Sequence, residues 1–328
     1  MNVIEVRSLK KRFNLEAGFF ARLGSYVYAV NDVSFSIAEG ETYGLVGESG
    51  CGKTTTARLL VRMYEADGGE ISFRGEDVTK LSASRVRHYR ERVKYVFQDP
   101  SRSLDPRMSV FSILTAGLRW SSSWPGAREA RKRAEAIMEE VGLSPLDLDR
   151  RPADFSGGQR QRISIARALL MNPDVLLCDE VVSALDVSIQ GQILNLLIDI
   201  RRKRGLSILF IAHDLKVACW FCDRIGVMYR GLLMEEAPAR DLYERAAHPY
   251  TKLLFASVEP KASVEPNATA AGHGAGGEGI SGESSVSGAQ AHGCPFFERC
   301  DKTAERCRAE LPTYREIAPG HFVRCHFA

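Results

Sequence analysis

The ten residues Gly47–Thr56, "GESGCGKTTT", contain three glycines, one lysine and three threonines. Gly47 and Gly52 lie five positions apart and are followed by Lys53 and Thr54, which is the spacing of a phosphate-binding loop. Glycines allow positive φ angles and carry no side chain, so consecutive backbone N–H groups can surround a polyphosphate. The stretch therefore predicts a nucleotide site.

The residues on either side of this loop support the prediction. "TYGLV" before it has the character of a buried strand, and "TTTARLLVRMY" after it has that of a helix. The positive end of that helix would face the same anion. We expect Lys53 to reach the outer phosphates and Thr54 to hold Mg²⁺. A glycine-rich turn that matches by chance would not explain the order of strand, loop and helix.

A second stretch supplies acidic groups. In "DVLLCDE" an apolar strand brings Asp179 and Glu180 to its carboxyl end. One carboxylate can hold Mg²⁺, and its neighbour can polarise an attacking water. Acidic pairs after a strand also serve as helix caps, but a phosphate loop on the same sheet makes the catalytic interpretation the stronger one.

The composition and the pattern of apolar residues limit the possible classes of protein. The 328 residues carry 44 Lys+Arg against 41 Asp+Glu, a formal net charge of +3 that demands no nucleic-acid partner. The charged start "MNVIEVRSLKKRF" lacks the apolar core of a signal peptide, and no apolar run approaches the ~20 residues of a membrane span. We expect a cytosolic chain whose eight cysteines stay reduced.

Alternating strands and helices predict an α/β fold with a mostly parallel sheet.

A third stretch suggests the family. "FSGGQRQRISIARALL", residues 155–170, resembles the signature of ABC-transporter ATPases. Its core is Ser156, Gly157, Gly158 and Gln159, and in the family this segment contacts the nucleotide of the opposite subunit. Taken alone, it would be an ordinary helix cap.

Other positions resemble further marks of the same family. Gln98 looks like the glutamine that senses the metal, and Asp186, which ends "SALD", belongs to the segment that crosses the dimer interface. His213 looks like the switch histidine at the terminal phosphate; the alternative is a cap on the helix after it. Phe13, with Tyr28 as the alternative, would stack on adenine. The resemblance thus places ATP and Mg²⁺ on these residues and on Gly47, Ser49, Gly50, Gly52, Lys53, Thr54, Thr55, Asp179 and Glu180.

The segments "HDLKVACWFCDRIGVMYRGLLMEE" and "HPYTKLLFASV" look like the ATPase subunits of oligopeptide/dipeptide importers. The resemblance implies a P-loop ATPase with an antiparallel N-terminal β part and a helical insert. It implies MgATP hydrolysis in a head-to-tail dimer with a second ATPase subunit, of the same or a different sequence. The chain would lie peripherally on the cytoplasmic face of the inner membrane. Its partners would be two transmembrane permeases and, indirectly, an extracytoplasmic solute-binding protein. Importers of nickel, glutathione or other small solutes, and non-transport ABC ATPases, are the alternatives.

The resemblance also suggests the domain organisation. Residues 1–260 would form the ATPase domain, with a helical insert at about 99–170 whose first part, to about Trp124, docks on the permeases. Residues 261–293, rich in Ala, Gly, Ser and Glu, would be a flexible linker before a tail at 294–328. Val181 and Val182 stand where the family usually has Pro-Thr, which predicts reduced or retuned turnover rather than its loss.

The tail carries Cys294, Cys300, Cys307 and Cys325. Four thiolates are the usual ligand set of an iron–sulfur cluster, and the arrangement is similar to the cysteine-rich end of several peptide-importer ATPases. We expect a structural four-iron cluster whose loss would spare ATP binding. Zinc, bound by these cysteines or with His321 or His326, is the alternative, and free thiols in a small hydrophobic knob are the third possibility.

Overall fold

The computed structural model describes residues 1–14, 26–121, 124–257 and 293–328. The strands are β1 (Asn2–Asn14), β2 (Tyr26–Ala38), β3 (Thr42–Val46), β4 (Gly68–Phe73), β5 (Glu76–Asp77), β6 (Val93–Val96), β7 (Val175–Asp179), β8 (Ser207–Ala212), β9 (Arg224–Tyr229), β10 (Leu232–Pro238), β11 (Arg315–Ala318) and β12 (His321–Val323). The α-helices are α1 (Lys53–Leu60), α2 (Ala83–Arg92), α3 (Pro100–Ser103), α4 (Val110–Arg119), α5 (Ala127–Glu140), α6 (Gly157–Leu169), α7 (Val187–Arg204), α8 (Leu215–Phe221), α9 (Ala239–Arg245), α10 (Pro249–Ser257) and α11 (Glu305–Ala309). Short 3-10 helices cover Pro145–Asp149, Pro152–Asp154 and Phe297–Arg299.

The larger sheet has eight strands in the order β11-β12-β10-β9-β3-β8-β7-β6. Its five strands from β9 to β6 are parallel, whereas β10, β12 and β11 pair antiparallel. Every residue of β3, β7 and β8 is buried, which explains their continuous apolar sequence. The carboxyl ends of β3, β6, β7 and β8 share one edge of this sheet, and the candidate site lies there.

The smaller sheet contains β2, β1, β4 and β5, all antiparallel. Val33, Phe35 and Ile37 point from β2 into a core shared with α1 and the larger sheet. The alternating pattern in the sequence predicts this half-buried strand, and the expectation of an antiparallel N-terminal β part is confirmed.

The helices α3 to α6 lie between β6 and β7, where the sequence predicts a helical insert. The longest of these helices is α5, Ala127–Glu140. Ile113 and Leu114 from α4, with Ile137 and Met138 from α5, are buried in the core beside α6. This insert carries the "SGGQ" segment on the N-terminus of α6.

The cysteine-containing tail is joined to the larger sheet. β12 pairs with β10, and β11 pairs with β12, so the tail extends the sheet by two strands. Phe296 is almost completely buried against Tyr229 and Tyr250. The predicted flexible linker lies outside the described residues except for Gly293. None of the helices in the described part of the chain combines the length and apolar character that crossing a membrane requires.

Candidate nucleotide site

The glycine loop connects β3 to α1, as the sequence predicts. Two of its glycines are required by their surroundings: Gly47 has φ +150° and Gly52 has φ +112°. A Cβ atom on Gly52 would lie 2.1 Å from the carbonyl oxygen of Ala29, and one on Gly47 would lie 2.2 Å from that of Met228. Both contacts are sterically forbidden, so the loop can take this path only with glycine at both positions.

Lys53 begins α1 and is buried. Its Nζ donates to the carbonyl oxygens of Gly47 at 2.7 Å and Glu48 at 3.0 Å. A buried ammonium group needs such partners because desolvating an unpaired charge is costly. The two contacts keep the charge against the loop, beside the helix N-terminus that would face the phosphates.

Asp179 at the end of β7 is buried and lies beside the loop. Thr54 Oγ1 donates to Asp179 Oδ1 at 3.0 Å, and the Tyr95 hydroxyl donates to Asp179 Oδ2. A hydroxyl and a carboxylate in direct contact are the oxygen donors that Mg²⁺ accepts, so the two predicted metal ligands fit the ion. Burial, followed by the Asp179 charge, raises the pKa of Tyr95, which keeps its hydroxyl protonated.

Sequence reasoning missed Tyr95. It lies on β6, which is parallel to β7, and its ring is buried. A hydroxyl near the end of the apolar strand "VKYV" is the one signal that could have pointed to it. The contact with Asp179 spans 84 positions of sequence, so it depends on the pairing of the two strands.

Glu180 follows Asp179 in a left-handed backbone conformation, with φ +49°. Non-glycine residues reach this region at a cost of about 1–2 kcal/mol. The neighbouring strand β8 holds Glu180 in this conformation, because the Glu180 N–H donates to the Ile211 carbonyl at 3.1 Å. The Glu180 side chain accepts a 2.6 Å hydrogen bond from Gln98 Nε2. The structure thus brings together two residues that the sequence assigns to catalysis.

His213 is exposed at the end of β8, on the same edge of the sheet. The helix after it is capped by Asp214, whose Oδ1 accepts from the N–H groups of Lys216 and Val217 at 2.8 and 3.2 Å. The alternative interpretation of His213 as the helix cap is therefore wrong, and its side chain is available for another role.

Comparison with known proteins identifies the family. The ABC transporter family model matches residues 30–183. The oligopeptide transport ATP-binding protein AppF of Bacillus subtilis is 41% identical over 328 residues, covering 99% of this chain and 97% of AppF. This chain is an ABC-transporter ATPase. A model of the oligopeptide/dipeptide transporter C-terminal region matches residues 234–307, which places the chain in that branch of the family.

A further relative and a solved structure agree with this assignment. OppF of Bacillus subtilis, also named an oligopeptide transport ATP-binding protein, is 40% identical and covers 98% of this chain and 96% of its own length. A solved ATP-binding cassette, a dimer in a post-hydrolysis state with ADP and Pi, superposes with a TM-score of 0.63 at 27% identity. The match covers 72% of this ABC ATPase and 99% of that chain.

The signature segment of the ABC ATPase opens α6 with a reciprocal cap. The Gln159 N–H donates to Ser156 Oγ at 3.3 Å, and the Ser156 N–H donates to Gln159 Oε1 at 2.9 Å. A Cβ atom on Gly158 would lie 2.7 Å from Ile189 Cγ2, so glycine there allows α6 to approach α7. Asp186 is the N-terminal residue before α7, and its side chain makes no capping hydrogen bond. The cap is thus present; contact of Ser156 and Gly157 with a second subunit's nucleotide stays a prediction.

Two aromatic residues were candidates for stacking on adenine. Phe13 lies near the end of β1 with 36% of its surface exposed, and its ring meets Tyr64 edge-on at 5.5 Å between centroids. Tyr28 lies on the neighbouring β2, paired in register with Arg12. Both remain predictions, as do Ser49, Gly50 and Thr55 as nucleotide contacts.

Val181 and Val182, the two departures from the family pattern, are both buried in the main core. They lie in the turn between Glu180 and Asp186, and Ser183 Oγ donates to the Glu180 carbonyl at 2.9 Å within that turn. Their side chains therefore add apolar packing beside the site, while the acidic pair keeps its contacts.

The predicted metal centre of the tail is not confirmed. Cys294, Cys307 and Cys325 are buried and Cys300 is half-buried, and burial, with the nearby thiols, raises the pKa of Cys294 to about 11. Within residues 1–14, 26–121, 124–257 and 293–328, however, no group of three or more His, Cys, Asp or Glu side chains is arranged to hold a metal ion. Both histidines of the zinc alternative bond elsewhere: His321 to Glu235 at 2.7 Å, and His326 to the Glu310 carbonyl at 3.1 Å.

Proposed function

We propose that this ABC ATPase binds and hydrolyses MgATP and thereby energises the import of peptides or similar small solutes across the cytoplasmic membrane. The observation that carries the proposal is the convergence of the glycine loop, Thr54, Asp179, Gln98 and Glu180 at one edge of the parallel sheet. The names of AppF and OppF, which are oligopeptide transport proteins, support a peptide as the solute.

The residues of this site have separate tasks. Lys53 and the loop amides would bind the phosphates, and Thr54 with Asp179 would hold Mg²⁺. An ion bound there would offset negative charge on the phosphate oxygens. Glu180 orients and polarises the attacking water, and Gln98 fixes the Glu180 carboxylate through their 2.6 Å hydrogen bond. His213 contacts the terminal phosphate from the end of β8.

The proposal includes a second ATPase subunit. Ser156 and Gly157 begin α6, whose N-terminal amides and dipole favour an anion, and this segment lies in the helical insert rather than on the glycine loop. In a head-to-tail dimer, of identical or different chains, it would serve the partner's ATP. The dimeric arrangement of the similar solved cassette supports this part of the proposal.

The proposal also includes two transmembrane permeases and places the ATPase peripherally on the cytoplasmic face of the inner membrane. Arg102 and Arg107 are exposed in the segment that leads from Gln98 into the insert. Trp120, at the end of α4, is 76% exposed. Exposed tryptophan and arginine side chains are both enriched at protein interfaces. A solute-binding protein would act only through the permeases.

The metal content of the tail is a separate proposal. We infer that Cys294, Cys300, Cys307 and Cys325 bind a four-iron cluster, with zinc as the alternative. The backbone supports it, because the Cys294 N–H donates to the Cys307 carbonyl at 2.7 Å and so holds two of these cysteines side by side. The side chains would have to move closer together, and the thiols would have to lose their protons. No step of ATP hydrolysis passes through this cluster.

Reconstitution tests the transport function. The ATPase would be co-expressed with candidate permeases and a candidate solute-binding protein from the same genome, and the complex would be placed in lipid vesicles. We expect ATP-dependent accumulation of a labelled peptide and no accumulation with Lys53→Ala. Uptake of nickel or glutathione instead of peptide would support the alternative importers. ATP hydrolysis without accumulation of any of these solutes would contradict the proposed transport.

A further inference from the structure

The tail reaches back to the phosphate loop. Arg299 Nη1 donates to Glu48 Oε2 at 2.9 Å, and Arg299 Nη2 donates to Glu48 Oε1 at 2.8 Å, which makes a two-bond, fork-shaped ion pair. The two residues are 251 positions apart. Bidentate pairs between arginine and a carboxylate fix geometry as well as charge.

Glu48 is held through all its polar groups. Its side chain binds Arg299, its backbone N–H donates to the Tyr250 hydroxyl at 2.9 Å, and its carbonyl accepts from Lys53 Nζ at 3.0 Å. Lys53 is the residue that we assign to the outer phosphates. A movement of Glu48 would therefore displace both the loop backbone and a partner of this lysine.

The tail itself is anchored firmly enough to act as a support. Phe296 is 2% exposed and packs against the rings of Tyr229 and Tyr250 at 5.4 Å between centroids in each case. The Arg299 guanidinium lies 5.8 Å from the Tyr229 ring centre and 5.6 Å from that of Phe296. Tyr250 therefore contacts the tail through its ring and the loop through its hydroxyl.

The charge of Glu48 gives the ion pair a second consequence. A carboxylate on a loop that binds a polyphosphate repels the ligand unless a cation neutralises it. Arg299 supplies that cation through the two hydrogen bonds of the ion pair. Both side chains are about two-fifths exposed, so salt will weaken this interaction.

We propose that Arg299 is a positioning residue of the ATP site: through Glu48, the C-terminal tail holds the phosphate loop in its binding conformation and cancels a charge that opposes ATP. The inference rests on the proposed ATP binding, and it assigns to the tail a direct effect on nucleotide affinity. It requires no metal in the tail.

Affinity measurements on the full-length chain test this proposal. The probe is a fluorescent ATP analogue with Mg²⁺, titrated at 50 mM and 500 mM NaCl. The variants are Arg299→Ala, Arg299→Lys and the double variant Glu48→Gln/Arg299→Ala. Arg306→Ala is the matched control, because Arg306 also lies in the tail and pairs with a carboxylate, that of Glu310, but has no contact with the loop. Thermal unfolding of each variant verifies that it is folded.

We expect Arg299→Ala to weaken binding about three- to five-fold at low salt, the range of a partly exposed ion pair, and less at high salt. Arg299→Lys should recover part of the loss. The double variant should bind better than Arg299→Ala, since its loop carries no unpaired carboxylate; a merely structural role of Arg299 would not give this rescue. Arg306→Ala should bind like the parent.

Unchanged affinity of Arg299→Ala, or an equal loss in Arg306→Ala, would overturn the proposal. If the double variant bound ATP no better than Arg299→Ala, cancellation of the Glu48 charge would not contribute to ATP affinity. If the parent chain itself did not bind the analogue, both the proposed function and this inference would fail. If the parent bound normally and Arg299→Ala bound equally well, only this inference would fail.

Discussion

The amide nitrogen of Gln98 donates a 2.6 Å hydrogen bond to the carboxylate of Glu180. The two residues follow β6 and β7, which are neighbouring parallel strands. In this pairing Tyr95 lies opposite Leu177 and Val96 opposite Cys178, and the Tyr95 hydroxyl reaches forward to the Asp179 carboxylate. Asp179 and Glu180 are thus each held by a residue on β6 or just after it. The Gln98 contact also links the site to the insert, because α3 begins two residues later.

The first prediction concerns the glycine loop. We expect Gly52→Ala to abolish ATP binding, since the new Cβ would displace the Ala29 carbonyl. Overpacking and the positive φ together should lower the free energy of unfolding by about 3 kcal/mol or more. Urea denaturation and titration with the fluorescent ATP analogue measure the two effects.

Gly75 provides the control for this prediction. It has φ +83°, but a Cβ atom there would have no heavy atom within 4 Å. The free energy of unfolding of Gly75→Ala should therefore fall only by the backbone cost of about 1–2 kcal/mol, and its ATP affinity should be unchanged. Equal behaviour of the two variants would show that the tight contacts of the loop are unimportant.

The second prediction concerns the permease interface. A photo-crosslinking amino acid at Arg102 or Arg107 should form products with the permeases in the assembled transporter, because both positions are exposed in the segment that follows Gln98. Ser103 and Ser109, which lie in the same segment, are less suitable: Ser103 is half-buried, and Ser109 caps α4 by accepting from the Ser112 N–H.

Glu76 on β5 is the control position, exposed at the edge of the smaller sheet. Products from Glu76 and none from Arg102 or Arg107 would mean that the permeases bind a different face of the ATPase.

The third prediction concerns the tail. Protein purified without oxygen should be brown and contain about four irons per chain, as four-cysteine ligation implies, and Cys300→Ser should lose the colour. Stoichiometric zinc without iron would favour the alternative, and absence of both metals would leave four free thiols. Because the contact of Arg299 with Glu48 requires no metal in the tail, Cys300→Ser should leave ATP binding unchanged.

The sequence predicts the local parts of this molecule well. The glycine loop, the acidic pair after β7 and the parallel sheet all follow from short motifs or continuous apolar runs, and the structure places them as expected. The contacts of Tyr95 with Asp179 and of Arg299 with Glu48 join residues 84 and 251 positions apart. Such contacts depend on strand order and on the packing of Phe296, which no local pattern encodes. For the same reason the extension of the sheet by β11 and β12 could not be anticipated from a cysteine-rich segment.

The central claim is that Glu180 activates water for ATP hydrolysis at this site. Glu180→Gln keeps the size of the side chain and can still hydrogen-bond, but it cannot act as a base. Steady-state ATP hydrolysis by the assembled transporter, measured together with equilibrium binding of the ATP analogue, tests the claim directly. We predict near-normal binding and hydrolysis slowed by about 10²–10⁴-fold, the usual contribution of a general base. Hydrolysis by Glu180→Gln at the parent rate would contradict the account.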